Sequence, residues 1–546
     1  MSNTTKRRLA PWIAGGTAIL LAMGACSTPT QPPTQTSNPS QTQSSTPSSA
    51  APTPTAPWDT AKQDTISLSV MNNYYTAGWK EMANQYMALH PETKVTVNVV
   101  ADNDAYFTLM TTWKSAADLS QASDIIHINF WGPTQTDYNT KVYDFTPVLD
   151  QPNPYNNNQP VRAALDPTAL QAVASSSGGA FLQALPFDKV GVGVYYNKTL
   201  LAAKGLSVPT TVEEWEATCA ALKAGGMAIP VSASGESSWY GGALADAMYR
   251  GTIYDQILFQ PGDPGYDATK MAANAGFVFN ESDLGSDRAV VPWGARIAAY
   301  QLKNGFNTPQ NQTIWTEWAR MAQYFTPNAL QGSGTDPLTS FENQDSAFLV
   351  SGSWNAGIVN ADMQQLGSAA FEWGSIPFPA YKTPPAGMQA ELRTINVPGN
   401  VMGVLLTHPG DQDHLARVLD FYKFVYSPNG AQTMYTTTLA AGNYVQGPPA
   451  IIGVTLPQAI TDALGGFATK PGTSQSAFAL ISGLHGQTIL ASDQNVFYDN
   501  VNKLDTGAIT AEQFLTTMEP YFLKRTQDDI ATNKFPVDSS GNITKS

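Results

Sequence analysis

Trp131, Trp239 and Trp354 stand in loop-like sequence rather than in periodic apolar runs. Trp131 follows a buried apolar run, Trp239 is followed by Tyr240 in a Gly/Ser-rich stretch, and Trp354 ends a Gly-Ser-Trp turn. Aromatic rings supply a large, rigid contact area at low cost in conformational entropy. The three tryptophans and Tyr240 therefore predict noncovalent contacts to a ligand. Most tryptophans are packing residues instead, and Trp79, Trp113 and Trp215, which fall at helical spacing, are interpreted that way.

Polar side chains in neighbouring loops are candidates for directed hydrogen bonds to the same ligand. Asn73 and Tyr74 follow the first predicted strand, and Asp188 follows Leu-Pro-Phe in a later loop. Trp293, in a Val-Pro-Trp-Gly turn, is a weaker aromatic candidate. Each of these residues could equally be a turn or cap residue, so position alone does not decide between the two roles.

Residue patterns for covalent or metal chemistry are missing from the sequence. There is no G-x-S-x-G, no H-E-x-x-H and no phosphate-binding glycine loop. The five histidines are dispersed, and only His408 and His414 share a neighbourhood, without ligand spacing. Cys26 and Cys219 are the only cysteines, which excludes a disulfide framework and a thiolate metal site. Cys219 lies in a helical pattern as a small buried residue. We expect no metal, no cofactor and no catalysis.

The composition indicates a globular protein with a neutral polar surface. Apolar residues make up 42% of the 546 residues and charged residues only 13%, against about a quarter in ordinary soluble domains. The net charge of −14 would repel a polyanion, which argues against nucleic-acid binding. The composition therefore favours a small, neutral, polar ligand.

The N-terminus has the pattern of a secretion signal. Basic residues 6–8 precede an apolar stretch that is too short and too interrupted for a good spanning helix. Small residues before Cys26 resemble the bacterial lipobox, although Met23 stands where leucine is usual. The alternative is an ordinary signal peptide with an incidental Cys26. Residues 27–57 are rich in Ser, Thr and Pro and carry no charge, which predicts an extended tether.

Strand and helix patterns alternate after the tether. Residues 66–71 and 95–99 alternate as strands do, and residues 79–89 repeat at helical spacing up to His90-Pro91. A helical stretch at 107–117 precedes a buried strand at 124–128. This order predicts βαβ units in a mostly parallel sheet, whose ligand crevice lies at the carboxyl ends of the strands. Tyr74 and Trp131 are at those ends.

Four stretches in order resemble the family 1 extracellular solute-binding proteins of bacterial ABC importers, the maltose-binding-protein group. They are residues 89–97 with Asp124-Ile125-Ile126, residues 185–223, residues 341–354, and residues 421–428. Ser123 departs from the proline that is common in the family. The resemblance covers about residues 65–522.

The resemblance implies a type II-like periplasmic-binding-protein clamshell. Each α/β lobe would hold a mostly parallel sheet flanked by helices, and crossing hinge segments would join the lobes. The family often contacts ligand near Asn400. The implied divisions are a signal peptide at 1–25, lipidated Cys26 with a tether at 26–61, lobe 1 at 62–188 and 386–446, lobe 2 at 189–385 and 447–533, and a frayed tail at 534–546.

The implied function is capture of a mono- or oligosaccharide by a monomeric lipoprotein on the outer face of the cytoplasmic membrane of a Gram-positive bacterium. The protein would deliver its ligand to the permease subunits of an ABC importer, and a lipid such as palmitate on Cys26 would be its only membrane contact. Two alternatives stay open. A secreted glycoside hydrolase would need two carboxylates flanking the scissile bond, and no pair stands out. A polysaccharide-binding surface module would usually be all-β.

Overall fold

The computed structural model describes residues 56–544 apart from residues 73, 133–136, 138–139, 168, 171–172, 174–180, 259, 261, 265–292, 333–335 and 469–480. The signal segment, Cys26, most of the tether and Asn73 lie outside these residues. The buried apolar side chains form two clusters. We call the first sheet with its helices the first lobe and the second sheet with its helices the second lobe.

The sheet of the first lobe forms from the alternating segments near the start of the chain. Its strands are β1 (Asp64–Met71), β2 (Thr93–Val100), β3 (Ile125–His127) and β11 (Met402–Val404), in the order β11-β3-β1-β2. β1 is parallel to β2 and β3, and Leu68 faces Val97 on one side and Ile125 on the other. β11 is antiparallel to β3. The predicted parallel arrangement of the first three strands is confirmed.

Helices cover this sheet, and those at residues 76–89 and 103–115 lie where the helical spacing predicted them. They are α1 (Thr76–Leu89), α2 (Asn103–Ser115), α3 (Ile128–Trp131), α12 (Gln412–Val425) and α13 (Pro428–Ala440). α1 ends before Pro91, as expected, because the residue before proline avoids helical geometry. Its apolar face buries Trp79, Met82 and Tyr86.

The sheet of the second lobe is built around β6 (Lys189–Asn197). β8 (Phe348–Gly352), β9 (Trp373–Ile376) and β10 (Asn396–Pro398) all pair antiparallel with β6, and β7 (Val231–Ser232) pairs parallel with β8. These pairs differ from the expected mostly parallel sheet, because the strand that enters the lobe runs against three of its neighbours. A Cβ on Gly193 would lie 2.7 Å from Ile376 O, so close pairing with β9 requires glycine there.

Buried side chains of the second lobe belong to both apolar clusters, since Phe341, Val359 and Leu464 lie in the first. The helices of this lobe flank its sheet. They are α4 (Lys198–Ala203), α5 (Val212–Ala224), α6 (Ser238–Arg250), α7 (Tyr254–Ile257), α8 (Gly294–Asn304), α9 (Pro309–Ala322), α10 (Pro337–Glu342), α11 (Ala356–Leu366), α14 (Gln458–Ala468), α15 (Gln494–Asp505) and α16 (Ala511–Asn533). Trp215 and Cys219 on α5 are fully buried, which confirms their interpretation as packing residues.

Short elements complete the described chain. β4 (Pro152–Asn153) and β5 (Gln159–Pro160) form a two-stranded ribbon, and the 3₁₀ turns are Thr146–Val148, Pro154–Asn156, Val161–Ala164, Gly235–Ser237, Ala329–Gln331, Ser353–Asn355, Gly367–Ala369 and Ala491–Asp493. After α16 the chain differs from the expected frayed tail. Val537 pairs with Ile543, and Thr544 N donates to Pro536 O at 2.8 Å. Among the described residues, no helix has both the length and the apolar character that crossing a membrane requires.

The chain passes between the lobes through segments that lie side by side. Residues 187–189 lead from the first lobe into β6, and residues 399–401 lead from β10 back to β11. Residues 446–450 run along the first crossing, where Lys189 N donates to Pro448 O at 2.8 Å and Ala450 N to Phe187 O at 2.9 Å. Because β10 pairs with β6, the second crossing follows residue 398 and not residue 385. The full set of lobe boundaries stays a proposal.

Candidate binding site

Tyr74 lies at the carboxyl end of β1, where the two lobes meet. Its backbone forms a parallel bridge with Tyr444, and the two ring centroids are 6.1 Å apart at an interplanar angle of 70°. The half-buried ring of Tyr74 packs against both apolar clusters. Tyr444 also lies against Gly357 in the first turn of α11, in the second lobe. A pair of tyrosine rings therefore stands at the junction of the lobes.

Trp354 occupies the 3₁₀ turn that follows β8 on the second-lobe side. The side chain is 3% exposed, and a Cβ on Gly352 would come within 2.1 Å of its ring. The sequence Gly-Ser-Trp therefore needs its glycine to admit the indole. Ser353 Oγ donates to Gln446 O at 2.7 Å, which ties the turn to the segment beside the first crossing.

Asp188 joins the crossing segments to the first lobe. Its Oδ1 accepts from the backbone N–H groups of Gly399 at 3.1 Å and Asn400 at 2.7 Å, and its Oδ2 accepts from Tyr75 Oη at 2.7 Å. Complete burial raises the pKa of Asp188 to about 6, although these three donors act in the opposite direction. The side chain therefore holds the hinge together, and its predicted ligand contact stays a prediction.

Asn400 and Gln446 place amide groups with spare hydrogen-bonding capacity next to this carboxylate. Asn400 is 5% exposed, and its Nδ2 is buried without a hydrogen-bond partner within the described part of the chain, as is Gln446 Oε1. Buried polar groups are normally paired. These amides could serve as a donor and an acceptor for a polar ligand. Asn73, the other predicted amide besides Asn400, lies outside the described residues.

Trp131 ends α3 at the same edge of the first sheet as Tyr74. Only 2% of the residue is exposed. Lys114 Nζ donates to Trp131 O at 2.9 Å and lies 5.9 Å from the ring centroid. The indole Nε1 is buried and finds no hydrogen-bond partner among the residues that the structure describes. The ring is held in place by the lysine, and its contact to ligand stays a prediction.

Trp239, Tyr240 and Trp293 lie in the second lobe. α6 begins at Ser238, so Trp239 and Tyr240 stand on its first turn and face the core instead of extending a loop. Tyr240 is fully buried, and its ring centroid lies 5.4 Å from that of Phe378. Trp293 precedes α8, and its backbone N–H donates to Ile257 O at 2.8 Å. Tyr240 thus has a packing role, and all three stay predictions as ligand contacts.

The carboxyl groups of Glu342 and Asp362 form a close pair between α10 and α11. Burial, followed by the charge of Asp362, raises the pKa of Glu342 to about 8. The raised pKa leaves Glu342 mostly protonated at neutral pH.

Two histidines and a carboxylate lie close together at the edge of the first sheet opposite Tyr74. Ligand atoms of Asp124, His408 and His414 lie within 4.8 Å of one another. Within the described chain this is the set of residues whose chemistry fits a metal ion. From sequence, His408 and His414 share a neighbourhood but have no third ligand, because Asp124 is distant along the chain.

Tyr75, Tyr444 and Gln446 are parts of the junction that sequence reasoning missed. Tyr75 follows Tyr74 with a φ of 52°, and its hydroxyl donates to Asp188. Tyr444 follows Gly442-Asn443, a turn signal that could have marked it. Gln446 has no local signal, because its position depends on pairing between segments far apart in the chain.

Comparisons with known proteins agree with this geometry. The family model for bacterial extracellular solute-binding proteins matches residues 72–432. RafE in complex with raffinose is 17% identical with a TM-score of 0.51, covering 85% of this chain and 99% of that chain. A chitin oligosaccharide binding protein is 17% identical with a TM-score of 0.52, covering 86% and 99%. The cyclic alpha-maltosyl-1,6-maltose binding protein from Arthrobacter globiformis is 14% identical with a TM-score of 0.51, covering 86% and 100%. No curated protein sequence matches. The structural likenesses establish the two-lobed α/β fold.

Proposed function

Because this chain belongs to the bacterial extracellular solute-binding proteins, a family of binding proteins rather than enzymes, we propose that it captures a carbohydrate between its lobes. It then delivers the ligand to the permease subunits of an ABC importer. The ligand contacts both lobes only when they are closed, so binding shifts the population toward the closed form. The permease recognises that form.

The observation that carries this proposal is the junction around Asp188. One carboxylate accepts hydrogen bonds from the second crossing through Gly399 and Asn400 and from α1 through Tyr75. Rigid lobes joined by a few fixed segments can close by small backbone changes at those segments. Closure would directly change the packing of Tyr74 and Tyr444, which lie beside the junction.

A neutral sugar fits the side chains around the junction. Sugars present patches of C–H groups, which suit the rings of Tyr74, Tyr444, Trp131 and Trp354, and hydroxyls, which suit the amides of Asn400 and Gln446. RafE was solved with raffinose, and another structural neighbour is described as binding chitin oligosaccharide. Carbohydrate is therefore the ligand class we propose, with Trp239, Trp293 and Asn73 as further candidate contacts.

A lipid anchor at Cys26 would hold the monomer on the outer face of the cytoplasmic membrane. The uncharged tether after Cys26 would let the lobes reach through the cell wall. In a Gram-positive host, the protein should fractionate with membranes, and Cys26→Ala should release it to the medium. Equal release of both forms would contradict the anchor without bearing on ligand capture.

A thermal-shift screen of the full chain against mono- and oligosaccharides tests the capture proposal. At least one sugar should raise Tm saturably, because a ligand that binds only the folded state stabilises it by mass action. The same sugar should be recovered unchanged after incubation. Hydrolysis of the sugar, or no shift with any neutral saccharide, would contradict the proposal.

A further inference from the structure

Asp124, His408 and His414 form a cluster on the first lobe, at the edge opposite Tyr74. β1 and β3 are parallel, and Asp124 immediately precedes β3, so it lies at the amino ends of these strands. β11 runs the other way and leads through residues 405–407 to His408. His414 lies in the first turn of α12. The cluster is therefore separate from the candidate sugar contacts.

The distances within the cluster suit a small divalent ion. His414 Nε2 lies 3.0 Å from Asp124 Oδ1, and His408 Nδ1 lies 3.9 Å from the same oxygen. Two ligands at about 2.0–2.1 Å from a tetrahedral zinc ion are about 3.4 Å apart. These two separations bracket that value. The half-exposed ring of His408 would exchange the contact of its Nδ1 with Thr407 Oγ1, at 3.0 Å, for the ion.

Groups around the cluster orient the ligand atoms. Asp64 Oδ2 lies 2.8 Å from His414 Nδ1, so an N–H on Nδ1 can donate to it while Nε2 faces Asp124. Asp124 Oδ2 accepts from Ser67 N at 2.7 Å and from Ser67 Oγ at 3.1 Å. Asp124 Oδ1 faces the histidines and also accepts from Thr407 Oγ1. A carboxylate behind a histidine ligand and hydrogen bonds behind a carboxylate ligand are the usual outer contacts of metal sites.

A cavity opens beside the three residues and provides room for a further ligand. Its volume is about 230 Å³, and its lining includes Thr140, Leu405, Thr407, His408, Gln412 and His414. Three protein ligands with one position open to water or a small molecule is a common zinc arrangement. Imidazole and carboxylate donors together select zinc-class ions over Mg²⁺ and Ca²⁺, which prefer oxygen ligands alone.

We propose that Asp124, His408 and His414 bind one divalent ion of the zinc class, with water from the cavity completing the coordination. The ion would tie the start of β3 to the loop after β11 and to α12, and so brace the first lobe. In the metal-free protein a hydrogen bond joins His414 Nε2 to Asp124 Oδ1, so binding releases that Nε2 proton to solvent. The proposal is independent of the ligand that the lobes capture.

Calorimetric titration of the chelator-treated, tag-free full chain with Zn²⁺ tests this site. We expect one Zn²⁺ per chain, no binding of Mg²⁺, and at least a tenfold loss of Zn²⁺ affinity in His408→Ala. The half-exposed His408 is the ligand to change, because its loss leaves the buried contacts of Asp124 and His414 in place. The matched control is Gln412→Ala, an exposed residue that lines the same cavity and should leave Zn²⁺ affinity unchanged.

Titration with Co²⁺ gives a second readout that does not depend on stability. The bound ion should show the intense visible absorption of a tetrahedral site in the unaltered chain and in Gln412→Ala, and His408→Ala should lose it. Absence of stoichiometric Zn²⁺ binding would overturn the proposal. Equal Zn²⁺ affinity in His408→Ala and the unaltered chain would overturn it as well.

Discussion

The Tyr75 hydroxyl donates to Asp188 Oδ2 at 2.7 Å and joins the start of α1 in the first lobe to the first crossing segment. The same carboxylate accepts from two backbone N–H groups of the second crossing. Gln446 N donates to Tyr75 Oη at 3.3 Å. One hydrogen-bonded unit thus connects the start of α1, both crossing segments and residues 446–450.

Tyr75→Phe should lower the free energy of unfolding by about 1.5–3 kcal/mol, the usual range for a hydrogen bond to a charged group. The change leaves a buried oxygen of Asp188 without one of its donors. Denaturant titration measures this loss. Tyr498→Phe, in a partly exposed tyrosine of α15, is the matched control and should change stability by less than about 0.5 kcal/mol. Equal effects of the two substitutions would contradict the role given to Tyr75.

Asp188→Asn should change how stability depends on pH. The pKa of Asp188 is raised to about 6 in the folded chain, so between about pH 4 and 6 the folded state keeps a proton that the unfolded state has released. The free energy of unfolding of the wild type should therefore fall by up to about 3 kcal/mol as pH rises through that window. The variant has no carboxyl group at this position and should not show this fall. Denaturant titrations from pH 4 to 7 should therefore show wild-type stability falling relative to the variant. A constant difference would contradict the shifted pKa.

Glu342→Gln should stabilise the protein at alkaline pH. The pKa of Glu342 is raised to about 8 by burial and by Asp362, so the wild type loses stability as pH rises from about 4.5 to 8, and an amide does not titrate. The difference in Tm between the variant and the wild type should be larger at pH 9 than at pH 5. A difference in Tm that does not grow between pH 5 and pH 9 would contradict the raised pKa of Glu342.

Tyr74→Ala should weaken sugar binding at least tenfold in Kd, or about 1.4 kcal/mol. The half-buried ring stands between the lobes, and its removal takes away aromatic contact area from the closed form. Calorimetric titration with the sugar found by screening measures the loss. Tyr498→Ala is the control and should bind that sugar as the wild type does. Unchanged affinity in Tyr74→Ala would exclude this ring from the site.

Local periodicity was enough to predict the first half of the first lobe. β1, α1, β2, α2 and β3 appear in the predicted order, because alternation and helical spacing are properties of short segments. The loops at the carboxyl ends of β1 and β3 follow from that order and from parallel pairing. Tyr74 and Trp131 could therefore be placed at one edge of the sheet from sequence.

Contacts between distant segments could not be predicted in this way. Asp188 has no local mark of its hinge role, since its partners Tyr75 and Asn400 are far away along the chain. The antiparallel pairing of β6 with β8, β9 and β10 depends equally on long-range topology. For Tyr240, a helix that begins two residues earlier decides that its ring faces the core, and helix starts are weakly encoded.

Small-angle X-ray scattering of the full chain with and without the captured sugar tests ligand-driven closure most directly. We expect the radius of gyration to fall at saturating sugar, with a midpoint that matches the calorimetric Kd, and Tyr74→Ala to need a higher sugar concentration for the same fall. A scattering curve that stays the same at full occupancy would contradict closure of the two lobes around the ligand.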